Sequence, residues 1–337
     1  MPVQAWLNRI WYGSSRPPAW LRPLAALYGL ILALQRRAWR AGWRRAAALD
    51  CPVIVVGNLT VGGTGKTPLV IWLCRALLGR GRKPGIVTRG YGGSGRGVRL
   101  VGLADAASQV GDEALLLARR TGLPVAVGRD RPAAARLLVA AGCDVIVSDD
   151  GLQHLPLPRA CEIVVIDAAR GFGNGALLPA GPLREPIGRL QRVDALVTNG
   201  LRSGGTTGFT MRLQPRAAVA LAGGAQRPLA AFAGQRVHAV AAIGNPGRFF
   251  SMLQDCGITV IPHPLADHAP LAAADLDFGD GLPVLMTEKD AVKCAGLDPA
   301  RLWSVPVDAG FGTAEEAALL DIVGERIGRG NRNAGEG

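Results

Sequence analysis

A glycine-rich loop between an apolar run and a helical pattern constrains this chain more than any other feature of its sequence. The segment VIVVGNLTVGGTGKTPLVIWL predicts a buried strand over 52–58 and, after the loop, a helix over 67–80. The N–H groups of such a loop curve around phosphates, and the helix directs its positive end at them. The predicted phosphate-binding residues are Gly62, Gly63, Thr64, Gly65, Lys66 and Thr67.

Two side chains of this loop carry the expected chemistry. Lys66 is predicted to bridge the β- and γ-phosphates of a nucleotide, and Thr67 to place its hydroxyl on Mg²⁺. The usual pattern, G-x-x-x-x-G-K-[ST], has a glycine where this chain has Thr60, so the loop begins differently here. The alternative is a glycine-rich turn that binds nothing.

Short β-branched runs alternate with helical patterns after Asp50. They predict an α/β fold with a P-loop NTPase-like parallel sheet flanked by helices, and strands at 52–58, 83–88, 123–128, 143–150, 161–167 and 193–199. Residues 200–235 lose the rhythm, which predicts a hinge or a short antiparallel connection. A smaller second α/β lobe is predicted from runs at 237–244, 257–262, 282–287 and 302–307, so that two lobes enclose a cleft.

These patterns divide the chain into five predicted parts. They are an N-terminal basic amphipathic segment (1–49), a nucleotide-binding and catalytic domain (50–210), a hinge (211–235), a smaller C-terminal α/β lobe (236–327) and a disordered tail (328–337).

The first 49 residues predict contact with a membrane surface. They contain eight arginines and no acidic residue, so they supply +8 of the net charge of +12. Five of the seven tryptophans also lie here, around an apolar stretch over 23–34 that is shorter than the ~20 residues of a spanning helix. Indole rings and arginines beside an apolar patch suit the headgroup layer of an anionic bilayer. The alternatives are a helix packed on the protein's own body, a nucleic acid and a partner helix.

The remaining composition argues against several classes of protein. A hydrophobic content of 49% with 19% charged residues fits neither a disordered chain nor a polytopic membrane protein. Because the body outside the first 49 residues carries only +4, no nucleic-acid partner is expected. The six cysteines lack CxxC or Cys/His spacing, which predicts buried thiols in a reducing compartment rather than a zinc site.

Paired carboxylates end another predicted strand. CDVIVSDD, over 143–150, delivers Asp149 and Asp150 to the edge of the sheet where, in phosphate-loop enzymes, an aspartate completes the Mg²⁺ shell. Either aspartate could serve, and a turn that only caps the strand is the alternative. Gln153 and His154 follow directly and are predicted to lie beside the metal.

Two clusters near the predicted cleft are weaker. Arg89 and Tyr91 follow the second strand in TRGYGGSGRG, where they could meet an anionic ligand or belong to a flexible turn. Asp112 begins a predicted helix, and its plainest role there is an N-cap.

Two more clusters lie farther along the chain. Arg184 and Glu185 stand between prolines in LPAGPLREP, a rigid loop that could clamp a phosphate or serve only as a connector. Asp267 and His268 form an acid–imidazole pair in the second lobe, although a lone histidine is more often structural. The guanine-specific pattern N-K-x-D is absent, since LPVLMTEKD has its lysine one place late, and this favours ATP.

The motifs taken together resemble one family. GNLTVGGTGKTP, TRGYGG, VGDE, SDDGLQH, NGALLPAGPLREP, ADH and TEKDAVK, in this order, are similar to the tetraacyldisaccharide 4′-kinases, the lipid A 4′-kinases of Gram-negative bacteria. The resemblance runs from the N-terminal basic helix to about residue 310. The departure at Thr60 is typical of the phosphate loop in this family, whereas Ala269 stands where the family often has a second histidine.

The resemblance implies transfer of the γ-phosphoryl group of ATP, with Mg²⁺, to the 4′-hydroxyl of a tetraacyldisaccharide 1-phosphate, a lipid A precursor. The place implied is the cytosolic face of the inner membrane, and no obligate protein partner is inferred. Asp112 corresponds to the general base, assisted by His268, while Lys66 binds phosphate and acts in catalysis. Thr67, Asp149 and Asp150 are expected at Mg²⁺, and the expected substrate-binding residues are Arg89, Tyr91, Gln153, His154 and Arg184.

Two other functions compete with this one. A membrane-tethered phosphate-loop ATPase or GTPase, acting as a switch or chaperone, would use the Asp-Asp pair to position water and would hydrolyse nucleotide without a lipid acceptor. A non-enzymatic basic module would bind nucleic acid through residues 1–50 in a salt-sensitive way.

Overall fold

Two β-sheets, one of nine strands and one of six, organise the chain. The computed structural model describes residues 2–13, 16–201, 208–294 and 301–334. Two helices precede the first strand, α1 (Pro2–Tyr12) and α2 (Leu21–Arg40). Short 3₁₀ helices lie in the connections at Ile187–Arg192, Leu229–Phe232 and Ala273–Asp275.

The larger sheet is parallel except at its edges. Its elements are β1 (Val53–Gly57), α3 (Lys66–Gly79), β2 (Pro84–Thr88), β3 (Arg99–Leu100), α4 (Ala107–Val110), α5 (Asp112–Thr121), β4 (Val125–Val127), α6 (Arg131–Ala140), β5 (Val145–Asp149), β6 (Cys161–Asp167), β7 (Ala195–Asn199), β8 (Phe209–Pro215) and, from the end of the chain, β15 (Val307–Gly310). The strand order is β15-β8-β7-β6-β1-β5-β2-β4-β3, and among the described strands the two at the edges, β15 and β3, pair antiparallel. β1, β2 and β5 are buried along their whole lengths, as strands covered on both faces must be, and the predicted α/β class is confirmed.

The smaller sheet forms a second lobe. Its elements are β9 (Ala218–Ala220), β10 (Gln226–Arg227), β11 (Arg236–Ala241), α7 (Pro246–Asp255), β12 (Thr259–Pro264), β13 (Val284–Thr287), α8 (Glu288–Ala291) and β14 (Leu302–Val305). The strand order is β10-β9-β14-β13-β11-β12. Since β8 belongs to the larger sheet and β9 to the smaller one, the chain crosses between them at 216–217, a shorter connection than the predicted hinge over 211–235.

The chain returns to the larger sheet at Pro306. β14 pairs with β13 in the smaller sheet, whereas β15 pairs with β8 in the larger one. The strand predicted over 302–307 is therefore two strands in different sheets. The two points where the chain passes between the sheets, 216–217 and Pro306, lie side by side: the Arg216 N–H donates to the Pro306 carbonyl at 2.8 Å.

The last helix, α9 (Thr313–Ala334), also belongs to the larger lobe. It buries four side chains in the core of the larger sheet: Leu319, Leu320, Val323 and Ile327. The predicted C-terminal lobe over 236–327 is therefore wrong at its end, because these apolar positions pack on the first lobe.

The same helix corrects the predicted disordered tail. It continues through 328–334, and 335–337 lie outside the described residues. Arg329 pairs with Glu325 one turn earlier, an interaction that supports helix beyond Gly328.

The N-terminal helices pack on the larger lobe with one face. Ile10, Trp11 and Leu21 are buried, and the Trp11 indole N–H donates to the Pro179 carbonyl at 3.0 Å. The opposite face of α2 leaves an apolar stripe uncovered, in which each side chain is 46–58% exposed: Leu24, Leu27, Leu30, Ile31 and Leu34. Within the described ranges, none of the helices combines the length and apolar character needed to cross a bilayer.

The placement of α9 generates a stability prediction. Leu319→Ala removes a side chain with no exposed surface from the larger core, so we expect the free energy of unfolding in urea to fall by about 2–5 kcal/mol. Leu78→Ala is the matched control, because Leu78 is 43% exposed on α3 and its loss should cost less than about 1 kcal/mol. Equal small losses for both variants would show that α9 does not pack on this core.

Candidate active site

The phosphate loop, residues 58–65, joins β1 to α3. Gly62 and Gly65 have φ values of +102° and +91°, a region that side chains disfavour. A Cβ on Gly65 would also lie 2.3 Å from Nδ2 of Asn199. Glycine is therefore required at position 65 by both the backbone angle and the available space.

Two asparagines that were missed in the sequence hold this loop in shape. The fully buried Asn58 donates from Nδ2 to the carbonyls of Thr60, at 2.8 Å, and Gly62, at 3.2 Å. Asn199, at the end of β7, donates to the Thr64 carbonyl at 3.0 Å. The sequence does mark both asparagines as residues at strand ends, because each stands last in a strand-like run, VIVVGN or ALVTN.

The LPAGPLREP loop lies directly on the phosphate loop. The Arg184 N–H donates to the Leu59 carbonyl at 2.6 Å. The Arg184 guanidinium donates to both carboxylate oxygens of Asp150 at 3.1 Å each, and also to Oδ1 of Asn58. These contacts place the Arg184 guanidinium against the phosphate loop.

The two aspartates at the end of β5, Asp149 within the strand and Asp150 directly after it, occupy opposite electrostatic environments. Asp149 is buried, its Oδ1 has no hydrogen-bond partner among the described residues, and burial, reinforced by the Glu113 carboxylate, raises its pKa to about 7. Burial would also raise the pKa of Asp150, but Lys66, 3.4 Å away, and Arg184 outweigh it and hold that pKa well below its usual range. An unpartnered buried carboxylate oxygen beside a phosphate loop fits a hard cation such as Mg²⁺.

A carboxylate–imidazole pair joins the lobes. Asp112, at the start of α5, is buried, and Nδ1 of His268 lies 3.0 and 3.2 Å from its two oxygens. Nζ of Lys293 is 3.7 Å from the same carboxylate. Burial raises the pKa of Asp112, but the hydrogen bond from His268 and the charges of Lys289 and Lys293 outweigh it, so the pKa is lowered overall.

Lys289 fixes the tautomer of that histidine. Its Nζ lies 3.1 Å from Nε2 of His268, and an ammonium group can only donate. Nε2 therefore accepts, and Nδ1–H donates to Asp112. Lys289 also pairs with Glu113 at 3.1 Å and Asp267 at 3.3 Å. Both lysines belong to the TEKDAVK segment, but neither was singled out as a site residue.

The other predicted substrate-binding residues lie around this centre in different ways. The Tyr91 ring is 61% exposed and packs on the His268 ring at 4.7 Å between centroids. Gln153 braces the phosphate loop, donating to the Asn58 carbonyl at 3.0 Å.

Arg89 and His154 both lie within the electrostatic influence of the buried Arg131 guanidinium. Arg89 is exposed. Burial, with the charges of Arg131, Arg159 and Arg89, lowers the pKa of His154 to about 4, and its buried Nε2 has no partner among the described residues. His154 is therefore neutral near pH 7.

A cavity of about 610 Å³ opens between the lobes. One wall is the phosphate loop with Lys66 and Thr67, and the other is α7, including Phe249 and Met252. Glu113 and Lys289, next to the Asp112–His268 pair, line the same space. An apolar pocket with a glycine-rich loop at one end and a carboxylate–imidazole pair nearby has the character of a small-molecule site.

The chain is similar to one family of known proteins over most of its length. Residues 18–326 match the family described as "Tetraacyldisaccharide-1-P 4'-kinase". A tetraacyldisaccharide 4′-kinase from Alkalilimnicola ehrlichii is 57% identical over 307 residues, which cover 87% of this chain and 90% of that protein. One from Stenotrophomonas maltophilia is 50% identical over 320 residues, covering 92% and 94%.

A solved structure is similar over nearly the same range. The crystal structure of LpxK from Aquifex aeolicus, described as an "apo" form in complex with ATP, superposes with a TM-score of 0.74 at 26% identity. The match covers 90% of this chain and 98% of that one. The chain belongs to the tetraacyldisaccharide-1-P 4′-kinase family.

Proposed function

We propose that this chain transfers the γ-phosphoryl group of ATP to the 4′-hydroxyl of a tetraacyldisaccharide 1-phosphate, in lipid A biosynthesis. The observation that carries the proposal is the Asp112–His268 pair beside a cavity that Lys66 also lines. A base, a phosphate-binding lysine and a cavity that can take a nucleotide are the parts that a hydroxyl kinase needs.

The phosphate loop positions the donor. Its backbone N–H groups and the N-terminus of α3 would hold the β- and γ-phosphates, with Lys66 between them. Lys66 lies 3.2 Å from Oδ1 of Asn58 and 3.4 Å from Asp150, so contacts within the protein hold its ammonium group in place. Alignment and charge neutralisation then supply most of the rate acceleration.

Thr67 and Asp149 are the proposed Mg²⁺ ligands, with Asp150 adjacent. Asp149 is favoured over Asp150 for direct contact, because no described residue bonds to its Oδ1, while Asp150 is engaged by Lys66 and Arg184. When bound, the ion neutralises charge on the phosphates.

Asp112 is the proposed general base. A sugar hydroxyl is a poor nucleophile near pH 7, and a carboxylate within ~3 Å can take its proton as the bond to phosphorus forms. The lowered pKa of Asp112 keeps the carboxylate ionised for that role, and the Nδ1–H of His268 orients it. Arg184 would add positive charge at the phosphates. Arg89, which is exposed, and Tyr91, whose ring packs on the His268 ring, are proposed to contact the acceptor.

The N-terminal segment is proposed to deliver the lipid acceptor from an anionic membrane surface. Leu24, Leu27, Ile31 and Leu34 recur at helical spacing on α2 and remain exposed although the other face is packed. Trp20 and Trp43, 60% and 83% exposed, flank this stripe, as do several arginines. The proposed location is peripheral, on the cytoplasmic face of the inner membrane.

The base assignment predicts a selective loss of turnover. Asp112→Asn keeps the buried shape but cannot accept the proton, so kcat should fall by about 10²–10⁴ while the dissociation constant of ATP stays nearly unchanged. The assay combines labelled ATP, Mg²⁺ and the disaccharide 1-phosphate lipid, with mass spectrometry of the product. Asp105→Asn, in a surface pair with Arg99, is the control. A parallel loss of ATP affinity in Asp112→Asn would show that Asp112 has a structural role. ATP hydrolysis by the wild type without phosphorylated lipid would favour a switch or chaperone.

The proposed role of His268 predicts a shift in the pH profile. Burial raises the pKa of Asp112 and His268 opposes that rise, so His268→Ala should raise this pKa. Because the base must be ionised, the fall of kcat/KM on the acid side should begin at a higher pH than in the wild type. The control is His263→Ala, since the His263 ring bonds to His238 in the smaller lobe; it should leave the acid side of the kcat/KM profile unchanged. If the acid side of the profile does not move in His268→Ala, His268 does not have this role.

The membrane proposal predicts weaker vesicle binding. Leu27→Gln, Ile31→Gln and Leu34→Gln together remove apolar surface from the stripe, so a smaller fraction should sediment with phosphatidylglycerol vesicles. Leu100→Gln with Leu103→Gln is the control, since both leucines are exposed on the body of the larger lobe. Equal binding of both variants would argue against docking through α2.

A further inference from the structure

The turn after β6 makes an interlobe contact that no predicted site residue explains. Asp167, the last residue of β6, is only 2% exposed although it is charged. Its carboxylate accepts from the Ala169 N–H at 2.9 Å, within its own turn. It also accepts from the Arg248 guanidinium at 2.5 Å and from the Asn245 amide at 3.4 Å, both on the smaller lobe.

Backbone packing at the same place brings the smaller lobe onto the phosphate loop. A Cβ on Gly244 would lie 2.6 Å from the backbone N of Gly63, so the two segments touch with no room for a side chain. The guanidinium of Arg170, three residues after Asp167, donates to the Gly244 carbonyl. Arg170 also lies over the Tyr12 ring of α1, 5.2 Å from its centroid.

Asp167 does not line the cavity, but its partners do. Gly244, Asn245 and Arg248 form part of the cavity wall opposite Lys66. Hydrogen bonds between ionised groups are stronger than neutral ones, and removing one partner of a buried pair leaves the other charge uncompensated. The carboxylate therefore acts on the cavity through the residues that it holds.

We propose that Asp167 is a positioning residue that seats the smaller lobe on the phosphate loop and so shapes the nucleotide cavity. The inference rests on the proposed function, because it takes the cavity as the ATP site. The contact also affects the proposed base, Asp112. Asp112 lies on the larger lobe and its partner His268 on the smaller one, so their hydrogen bond depends on how the lobes are seated. Holding β6 to the start of α7 therefore fixes both walls of the cleft at once.

The test uses four variants of the full chain: two single variants of the contact, the double variant that combines them, and a control. Asp167→Asn and Arg248→Gln break the contact from opposite sides, and Arg248 has a 30% exposed side chain, so its replacement leaves the core intact. Asp105→Asn is the matched control, because Asp105 likewise accepts from an arginine, Arg99, and from a backbone N–H, but away from the cleft. Circular dichroism verifies that each variant is folded.

Two measurements are made on each protein: hydrogen exchange of residues 243–252 by mass spectrometry, and the dissociation constant of a non-hydrolysable ATP analogue with Mg²⁺ by calorimetry. Both contact variants should exchange several-fold faster in this segment and bind the analogue about tenfold more weakly. The double variant should be no worse than the poorer single variant, because both changes break one contact. The control should match the wild type.

Unchanged exchange and affinity in folded Asp167→Asn would overturn the inference, and so would additive losses in the double variant. Failure of the proposed function is separate. A wild-type protein that binds the analogue but phosphorylates no lipid would contradict the kinase assignment, whereas the exchange and affinity comparison would still decide the role of Asp167.

Discussion

The hydrogen bond between Asp112 and His268 joins the two lobes at the point where the proposed reaction occurs. One partner begins a helix of the larger lobe, and the other lies in a loop of the smaller lobe with φ of +60°. The base is therefore complete only when the lobes are correctly seated. Lys289 sets the direction of this hydrogen bond, because it donates to Nε2 of His268 and so leaves Nδ1–H to donate to the Asp112 carboxylate. The contact between Asp167 and Arg248 is a second link across the same cleft.

Charge balance around the phosphate loop explains why so many ionisable groups are buried together. Lys66 and Arg184 are compensated by Asp150, and Asn58 accepts from both cations. The same two cations would face the negative charge of a bound triphosphate. Asp149 differs, since one of its oxygens meets no partner in the described part of the chain and its pKa is raised, which suits a site completed by a cation. The two aspartates, adjacent in sequence, are thus prepared for different partners.

Much of the larger lobe could be predicted because its strands are apolar on both faces and its loop has a strict pattern. The split of 302–307 into two strands could not, since periodicity does not reveal which sheet a strand joins. For the same reason the sequence could not show which lobe α9 joins, because its apolar positions are compatible with packing on either one. Asn58 and Asn199 had a signal at the strand ends, but Lys289 and Lys293 act through contacts between segments more than 150 residues apart in sequence, such as Lys289 with Glu113.

The most direct measurement is a crystal structure with a non-hydrolysable ATP analogue, Mg²⁺ and the disaccharide 1-phosphate bound together. The account predicts the γ-phosphate at Lys66 and a carboxylate oxygen of Asp112 within ~3 Å of the sugar's 4′-oxygen, with His268 still donating to Asp112. An acceptor hydroxyl next to another side chain, with Asp112 turned away from the terminal phosphate, would contradict it.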